Sequence, residues 1–258
     1  HQPFNKPNRF IMNKITPSSY LDLLALSTDT LTVRLLDNAD YQTVHESMLN
    51  HTLKRIENKK INQHHADELW IVEHQNVYTL GQASKPEHIL YRTDTPIIQT
   101  DRGGQVTWHG DGQLVVYWLF DLHRLNFGVR DLVSHAEQAI IDIVAHYLPK
   151  TLTVKARRDA PGVYIYNHTG DMLGKIASLG FKIKQGFSYH GIAINLINDL
   201  SAFHAINPCG YAGMPMAKLS SFGQFTADDM GVFITQLIKN IARRHAGLVE
   251  LRTQDTLK

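Results

Sequence analysis

Residues 162–196 read GVYIYNHTGDMLGKIASLGFKIKQGFSYHGIAINL, a stretch in which β-rich runs alternate with turn residues. The β-rich runs cover residues 162–166, 175–184 and 189–196. Between the first two runs, residues 167–171 include Gly170 and have the composition of a hairpin turn. Strands joined by tight turns pair in antiparallel fashion. The stretch therefore predicts the centre of a mostly antiparallel sheet.

The same kind of pattern continues on both sides of this stretch. Further β-rich runs lie at residues 31–36, 69–73, 77–80, 97–98 and 112–120. Apolar residues recur at helical spacing over 41–60 and 132–147, and a Thr226–Asp229 cap predicts a last helix. We therefore expect an α+β fold, a single domain with a mostly antiparallel or mixed sheet and packed helices. The domain should span residues 31–258, after a polar N-terminal extension over residues 1–30.

Composition and charge exclude several classes of protein. Of the 258 residues, 43% are hydrophobic and 19% are charged, which is typical of a globular domain. The net charge of +2 gives no reason to expect a nucleic acid partner. The longest apolar runs, such as residues 114–120, are too short to span a bilayer, so no membrane contact is expected. The fifteen histidines lack the spacing of a metal motif, so no metal site is expected.

Cys209 is the one cysteine of the chain and lies in INPCGY, residues 206–211. A single thiol can form neither an intrachain disulfide nor a structural zinc cage. The flanking proline and glycine predict a tight turn, and reacting groups are often held on such loops. Two readings stay open: an inert buried thiol or a nucleophile. A lone thiol, with no apolar signal region over residues 1–15, predicts a cytoplasmic protein.

The densest group of polar residues is DRGGQVTWHGDGQ, residues 101–113. Its four glycines let the backbone approach a ligand closely and expose amide donors. Arg102 can pair with a carboxylate or a phosphate, and Thr107, His109 and Gln113 add polar side chains. The run matches neither glycine signature for phosphate binding, so no nucleotide is implied. The alternative is a glycine-rich hairpin with a solvated arginine.

Two more groups of residues lie in the predicted strands. Lys175 stands in an otherwise apolar run, GKIASLG, residues 174–180. Because side chains alternate between the faces of a strand, Lys175 could point to water; a partly desolvated lysine could instead exchange protons near neutral pH. In YHGIAIN, residues 189–195, the small Gly191 and Ala193 leave room for a bound chain. His190, taken alone, is typical of a structural histidine.

Together, these segments resemble the lipoyl(octanoyl) transferase family of lipoate biosynthesis. In chain order the matching segments are EHQNVYTLG (73–81), DRGGQVTWHGDGQLVVY (101–117), RRDAPGVYI (157–165), GKIASLGFKI (174–183), YHGIAINL (189–196) and INPCGY (206–211). Six matches in family order make the resemblance specific. The chain departs from the family at Asp111, where the family commonly has proline, which changes that turn and no reacting group.

The resemblance implies a fold shared with biotin and lipoate protein ligases, and it assigns roles to residues. Cys209 becomes the nucleophile that carries the acyl group, and Lys175 becomes its activating partner. The residues that become the walls of the acyl site are Arg102, Gly103, Gly104, Gln105, Val106, Thr107, Trp108, His109, Ser178, Leu179, Gly180, His190, Gly191, Ile192 and Ala193.

The implied reaction moves an octanoyl group from octanoyl-acyl carrier protein, through a Cys209 thioester, to a lysine of a lipoyl domain. The implied acceptors are the lipoyl domains of 2-oxoacid dehydrogenase E2 subunits and the glycine cleavage H protein, and no cofactor is needed. Two alternatives stay open. One is an ATP-dependent lipoate or biotin protein ligase, which needs no acyl-cysteine, and the other is a non-catalytic fatty-acyl-binding protein.

Overall fold

The computed structural model describes residues 17–36, 40–210, 212–252 and 256–257. Its strands are β1 (Leu31–Leu35), β2 (Asp67–Val72), β3 (Val77–Leu80), β4 (Ile97–Gln99), β5 (Val106–His109), β6 (Gln113–Leu119), β7 (Thr153–Arg157), β8 (Val163–Tyr166), β9 (Met172–Lys184), β10 (Phe187–Asn195) and β11 (Thr256–Leu257). The α-helices of the described residues are α1 (Pro17–Leu24), α2 (Tyr41–Lys60), α3 (Leu122–Leu125), α4 (Val129–Tyr147) and α5 (Met230–His245).

The strands form a large sheet and a small one. The eight-stranded sheet has the order β1-β2-β6-β10-β9-β8-β7-β11, and the three-stranded sheet has the order β4-β3-β5. In the large sheet, β1 with β2 and β7 with β11 are parallel, whereas the five pairs between them are antiparallel. The prediction of an α+β fold with a mostly antiparallel, mixed sheet is therefore confirmed.

Helices cover both faces of the large sheet. Side chains alternate along a strand, so residues 114, 116 and 118 of β6 pack with α4 and α5, while residues 115, 117 and 119 pack with α2. All nine residues of β10, the neighbour of β6, are buried. The centre of the large sheet is thus enclosed on both sides, and polar residues on it lie away from water.

The predicted elements that rest on strong local patterns are confirmed. The helix over 41–60 has the predicted bounds, and its N-cap, Asp40, accepts a hydrogen bond from the backbone N–H of Thr43 at 2.8 Å. The three runs of residues 162–196 become β8, β9 and β10. Thr226 and Asp229 do form a capping box, but it caps a short 3₁₀ turn that runs directly into α5.

Several elements lack a clear signal in the sequence. The glycine-rich segment contains a strand, β5, which pairs with β3. In the predicted N-terminal extension, α1 packs against α5 and β1, and Leu23 is only 1% exposed. This part of the extension is therefore attached to the core, because Leu23 joins the main apolar cluster. Residues 1–16 lie outside the described residues.

Membrane insertion finds no support in the helices that the structure describes. None of them is both long and apolar enough to cross a bilayer.

Candidate active site

Strands of both sheets enclose a cavity of about 330 Å³, a volume within the usual range of ligand sites. Fifteen of the predicted site residues line it, namely Arg102, Gly103, Gly104, Gln105, Val106, Thr107, His109, Lys175, Ser178, Leu179, Gly180, His190, Gly191, Ile192 and Ala193. Further wall residues, to which the sequence assigned no role, include Tyr41, Val115, Tyr117, Val133, Pro161 and Phe181. The cavity thus unites residues as far apart in the chain as Arg102 and Ala193.

Strand pairing brings two of these motifs together. In the β9–β10 ladder, Ser178 lies opposite Ala193, Leu179 opposite Ile192, and Gly180 opposite Gly191. On its other side, β10 pairs with β6. A Cβ atom added at Gly191 would lie 2.1 Å from the carbonyl oxygen of Val116 in β6. Glycine is required at this position because two backbones approach each other there.

The buried guanidinium of Arg102 stabilises the glycine-rich segment through hydrogen bonds to backbone carbonyl oxygens. It is 8% exposed, and its Nη2 donates to the carbonyl oxygens of Thr79 and Gln105, each at 2.7 Å. Its Nη1 donates to the carbonyl of Gly103 at 2.9 Å. The backbone N–H of Gly103 in turn donates to the carbonyl oxygen of Phe181 in β9 at 2.9 Å. The alternative of a solvated surface arginine is therefore wrong: the guanidinium holds this segment in its curved form against the large sheet.

Trp108 lies outside the cavity wall, unlike its neighbours. Because β5 alternates its side chains, Thr107 and His109 line the cavity, whereas Trp108 packs edge-on against Phe203 with ring centres 5.5 Å apart. Its assignment to the acyl-site wall is corrected by this geometry. Trp108 is 4% exposed and belongs to an apolar cluster behind the small sheet.

Lys175 is buried, with 1% of its surface exposed. Its Nζ donates to the carbonyl oxygen of Pro161 at 2.9 Å and lies 5.3 Å from the ring centre of Tyr164. The alternative of a lysine that points to water is therefore wrong. Burying an ammonium group costs free energy unless polar atoms surround it, so its position at the cavity wall calls for a chemical reason.

Glu137 of α4 approaches the same region from behind the cavity wall. Its Oε1 accepts a hydrogen bond from the backbone N–H of Gly162 at 3.0 Å. Burial raises the pKa of Glu137 to about 7, although the Gly162 hydrogen bond and the charge of Lys175 act in the opposite direction. No role was predicted for Glu137, although a carboxylate among the apolar residues of a helix face was the available signal.

The backbone of Cys209 lies in the 3₁₀ turn Pro208–Gly210, and its side chain is outside the described part of the structure. A Cβ atom at Gly210 would lie 1.7 Å from Oε1 of Gln105, which lines the cavity. Farther along the chain, the backbone N–H of Ala217 donates to the backbone carbonyl oxygen of Lys175 at 2.9 Å. Gly210 therefore lies against the glycine-rich segment, and Ala217 lies beside the backbone of Lys175.

The carboxylate of Asp101 joins two histidines, one of which, His190, lines the cavity. Asp101 Oδ1 accepts hydrogen bonds from Nε2 of His190 at 2.9 Å and Nε2 of His45 at 3.0 Å, and Tyr189 donates to its other oxygen. Burial acts to raise the pKa of Asp101, but these hydrogen bonds outweigh it and hold the pKa far below its usual range. No local pattern predicts the pairing of His45 with Asp101, because the two residues lie on separate elements.

Two histidines of the cavity wall, His190 and His109, are buried in neutral form. Burial lowers the pKa of His190 to about 4, against the opposing hydrogen bond to Asp101. Burial also lowers the pKa of His109 to about 3. One ligand atom each of His45, Asp101 and His190 lies within 4.8 Å of the others, so this trio has the spacing to hold a metal ion, which the sequence pattern did not indicate.

Known proteins share both the sequence and the fold of this chain. The family model of the lipoyl protein ligase A/B catalytic domain matches residues 46–242. The chain is 54% identical to an octanoyltransferase of Psychrobacter cryohalolentis over 87% of this chain and 93% of that protein. It is 45% identical to an octanoyltransferase of Shewanella amazonensis over 87% of this chain and 100% of that protein.

A solved structure shows the same fold at low sequence identity. A lipoate-protein ligase A bound with ATP matches with a TM-score of 0.58 and 13% identity, over 90% of each chain. The predicted likeness to lipoate protein ligases is thereby confirmed at the level of the fold. From the family model and its curated relatives, the chain belongs to the octanoyltransferases of the lipoyl protein ligase A/B catalytic domain family.

Proposed function

We propose that this protein transfers an octanoyl group from octanoyl-acyl carrier protein to a lysine of a lipoyl domain, through a thioester on Cys209. The observation that carries the proposal is Lys175, a buried ammonium group on the wall of a cavity beside the turn Pro208–Gly210. Much of that wall suits an acyl chain, since it includes the apolar residues Val115, Leu179, Phe181, Ile192 and Ala193.

In the first half-reaction, the thiolate of Cys209 attacks the thioester carbonyl of the donor. The carbon–sulfur bond to the carrier breaks, and a carbon–sulfur bond to Cys209 forms. The leaving carrier thiolate takes a proton from the ammonium group of Lys175. A free thiol is only a few per cent ionised near neutral pH, and an adjacent ammonium group increases the fraction of thiolate.

In the second half-reaction, the acceptor lysine gives one proton to the neutral amine of Lys175 and attacks the Cys209 thioester. The amide bond forms, the thiolate of Cys209 leaves, and the second proton passes to solvent. Backbone N–H groups of the glycine-rich segment are the donors we assign to the developing oxyanion. The thioester already carries the activation, so the reaction requires neither a nucleotide nor a metal.

The proposed partners follow from this chemistry. The donor is octanoyl-acyl carrier protein, and the acceptors are the lipoyl domains of 2-oxoacid dehydrogenase E2 subunits and the glycine cleavage H protein. These proteins would meet the enzyme in the cytoplasm, where the lone thiol stays reduced. The high identity to proteins named octanoyltransferase supports this assignment over free octanoate as the donor.

Intact-mass spectrometry tests the proposal. Incubation with octanoyl-acyl carrier protein should add one octanoyl group to the chain, removable by hydroxylamine, and Cys209→Ala should abolish the adduct. A lipoyl domain added with a chelator should then become octanoylated. A parallel reaction holds free octanoate, ATP and magnesium. Product confined to that second reaction would overturn the transferase in favour of a ligase.

A further inference from the structure

One peptide bond joins Lys175 to the carboxylate of Glu137. The carbonyl oxygen of Pro161 accepts a hydrogen bond from Lys175 Nζ at 2.9 Å. The N–H group at the other end of the same peptide, on Gly162, donates to Glu137 Oε1 at 3.0 Å. Lys175 is 1% exposed and Glu137 is 6% exposed. A buried ammonium group and a buried carboxyl group thus hold the two ends of one peptide dipole.

This arrangement strengthens both hydrogen bonds. An acceptor oxygen at the N–H end and a positive donor at the C=O end polarise the peptide in the same direction, and hydrogen bonds in a chain reinforce one another at low dielectric. The orientation of the peptide plane therefore depends on Glu137, and the place of the Lys175 ammonium group depends on that plane.

Gly162 makes room for the bridge. Its φ angle is +147°, and a Cβ atom there would lie 2.3 Å from Cε and 2.9 Å from Nζ of Lys175. The lysine side chain therefore passes directly over this peptide, where another residue type would collide with it. Pro161 and Lys175 line the cavity, whereas Glu137 is not among the described lining residues. The peptide between Pro161 and Gly162 thus connects Glu137 to the cavity wall.

We propose that Glu137 is a positioning residue, which holds the ammonium group of Lys175 at the cavity wall through the peptide bond between Pro161 and Gly162. This inference rests on the proposed function, in which Lys175 activates the thiol of Cys209. The position of the ammonium group then depends on how far the acceptor oxygen of residue 137 extends toward the N–H group of Gly162. An acceptor of the same length should preserve the geometry, and a shorter one should lose it.

Two substitutions separate reach from charge. Glu137→Gln keeps an acceptor oxygen at the same distance and removes the charge, whereas Glu137→Asp keeps the charge and withdraws the acceptor by one methylene. We expect transfer by Glu137→Gln to stay within about threefold of the unsubstituted protein. We expect Glu137→Asp to lower kcat by about tenfold with the KM for the carrier unchanged, because binding is unaffected and only the step that needs Lys175 slows.

The pH dependence of thiol alkylation supplies a readout that a merely structural role would not move. Cys209 is the single thiol of the chain, so every alkylation event reports on it. In Glu137→Asp, the midpoint of the rate against pH should move upward by about half a unit, because the thiolate loses part of its positive neighbour. In a protein that carries Lys175→Ala, adding Glu137→Asp should shift the midpoint no further.

Gln138→Leu is the matched control. Gln138 is the next residue of α4, is 3% exposed, and accepts a hydrogen bond from the backbone of Arg252 at 2.9 Å, away from Lys175. It should lower the thermal midpoint as much as the Glu137 variants do, and it should leave kcat and the alkylation midpoint in place.

The outcomes distinguish this inference from the proposed function. If Glu137→Asp matches Gln138→Leu in kcat and alkylation, or if Glu137→Gln loses as much as Glu137→Asp, the peptide bridge is refuted. If the unsubstituted protein transfers no octanoyl group while Glu137→Asp still shifts the alkylation midpoint, the transfer reaction fails and the bridge stands.

Discussion

At the scale of one residue, the packed strands keep the ammonium group of Lys175 away from water. Its Nζ lies 2.9 Å from a backbone carbonyl and 5.3 Å from an aromatic ring centre, and the side chain is 1% exposed. At low dielectric a positive charge acts on a nearby thiol more strongly than it would in water. One side chain in this position can therefore support both the formation of a thiolate and a later proton transfer.

Removing this side chain should slow the reaction sharply. We expect Lys175→Ala to lower octanoyl transfer by more than about tenfold, which corresponds to about 1.4 kcal/mol in the barrier. Lys175→Arg should rescue poorly, because a guanidinium keeps the charge but cannot act as a base. Single-turnover transfer checks this, with Lys155→Ala, a partly exposed lysine of β7, as the control. If the turnover of Lys175→Ala equals that of the control, Lys175 has only a structural role.

At the scale of elements, the spacing between β6 and β10 sets the shape of the cavity. β10 contributes His190, Gly191, Ile192 and Ala193 to the wall, and its glycine permits close backbone contact with β6. Backbone on both sides leaves no flexible side chain that could move aside. The wall is therefore rigid at this position.

A methyl group added at Gly191, where β10 closely approaches β6, should destabilise the protein. We expect Gly191→Ala to lower the free energy of unfolding by about 1–3 kcal/mol, because the added Cβ would lie 2.1 Å from a backbone oxygen. Gly170→Ala in the hairpin turn is the control: its Cβ meets nothing within 4 Å, and it carries only the cost of a left-handed backbone, with φ at +89°. Urea denaturation compares the two, and an equal or smaller loss for Gly191→Ala would contradict the steric argument.

At the scale of the whole molecule, buried neutral histidines couple folding to pH. The pKa values of His109 and His190 fall to about 3 and about 4 in the folded protein, below the value of about 6.5 in an unfolded chain. At pH values between the folded and the unfolded pKa, the unfolded state binds protons that the folded state does not bind. The stability due to these histidines is therefore complete above about pH 6.5 and declines as the pH falls. The contribution of Asp101, whose pKa is lowered, is lost only at still lower pH.

Urea denaturation at pH 7.5 and pH 5 should reveal this loss. Each of the two histidines should contribute up to about 1.4 kcal/mol per pH unit below about pH 6.5. His190→Asn should reduce the slope, and asparagine tolerates the φ angle of 61° at this position. The same change at the exposed His168 should leave the slope unaltered. Glu137, whose pKa burial raises to about 7, acts in the opposite direction over this interval, so the change in slope on substitution decides the matter. A His190→Asn slope equal to that of the unsubstituted protein would contradict the burial of His190 in neutral form.

Charges near the cavity should guide the carrier protein. Exposed or partly exposed basic residues lie next to segments of the wall, with Arg130 before Val133, Arg158 beside Asp159, and Lys182 after Phe181. From the sequence, the candidates for carrier docking are Arg124, Arg130, Arg157, Arg158, Lys182 and Lys184. Two of these make ion pairs within the protein, Arg124 with Asp67 and Arg157 with Asp159.

Salt should therefore weaken the encounter with an acidic carrier. We expect the KM for octanoyl-acyl carrier protein to rise with ionic strength while kcat stays nearly constant, because salt screens exposed charges beyond about 8–10 Å. Arg158→Glu should raise this KM at low salt, whereas Lys239→Glu on α5, an element that contributes no wall residue, should not. A KM that is constant from low to high salt would exclude electrostatic docking.

Local patterns in the sequence were sufficient for much of this protein. The helix over 41–60 and the strands within 162–196 follow from apolar spacing and turn residues, because such signals act between near neighbours in the chain. The ordered motifs were sufficient to identify the family and fifteen of the cavity residues. Trp108 was assigned to the wrong side because β5, hidden in a glycine-rich run, sets which side chains face the cavity.

Tertiary structure alone decided the electrostatic environment of the site. Lys175 is buried because β9 lies inside a covered sheet, and a peptide of the segment before β8 connects it to Glu137. Asp101, His45 and His190 come from a loop, a helix and a strand that are distant in the chain. No local pattern encodes such groupings, because desolvation and charge interaction depend on distances in space, which only the packed strands and helices establish.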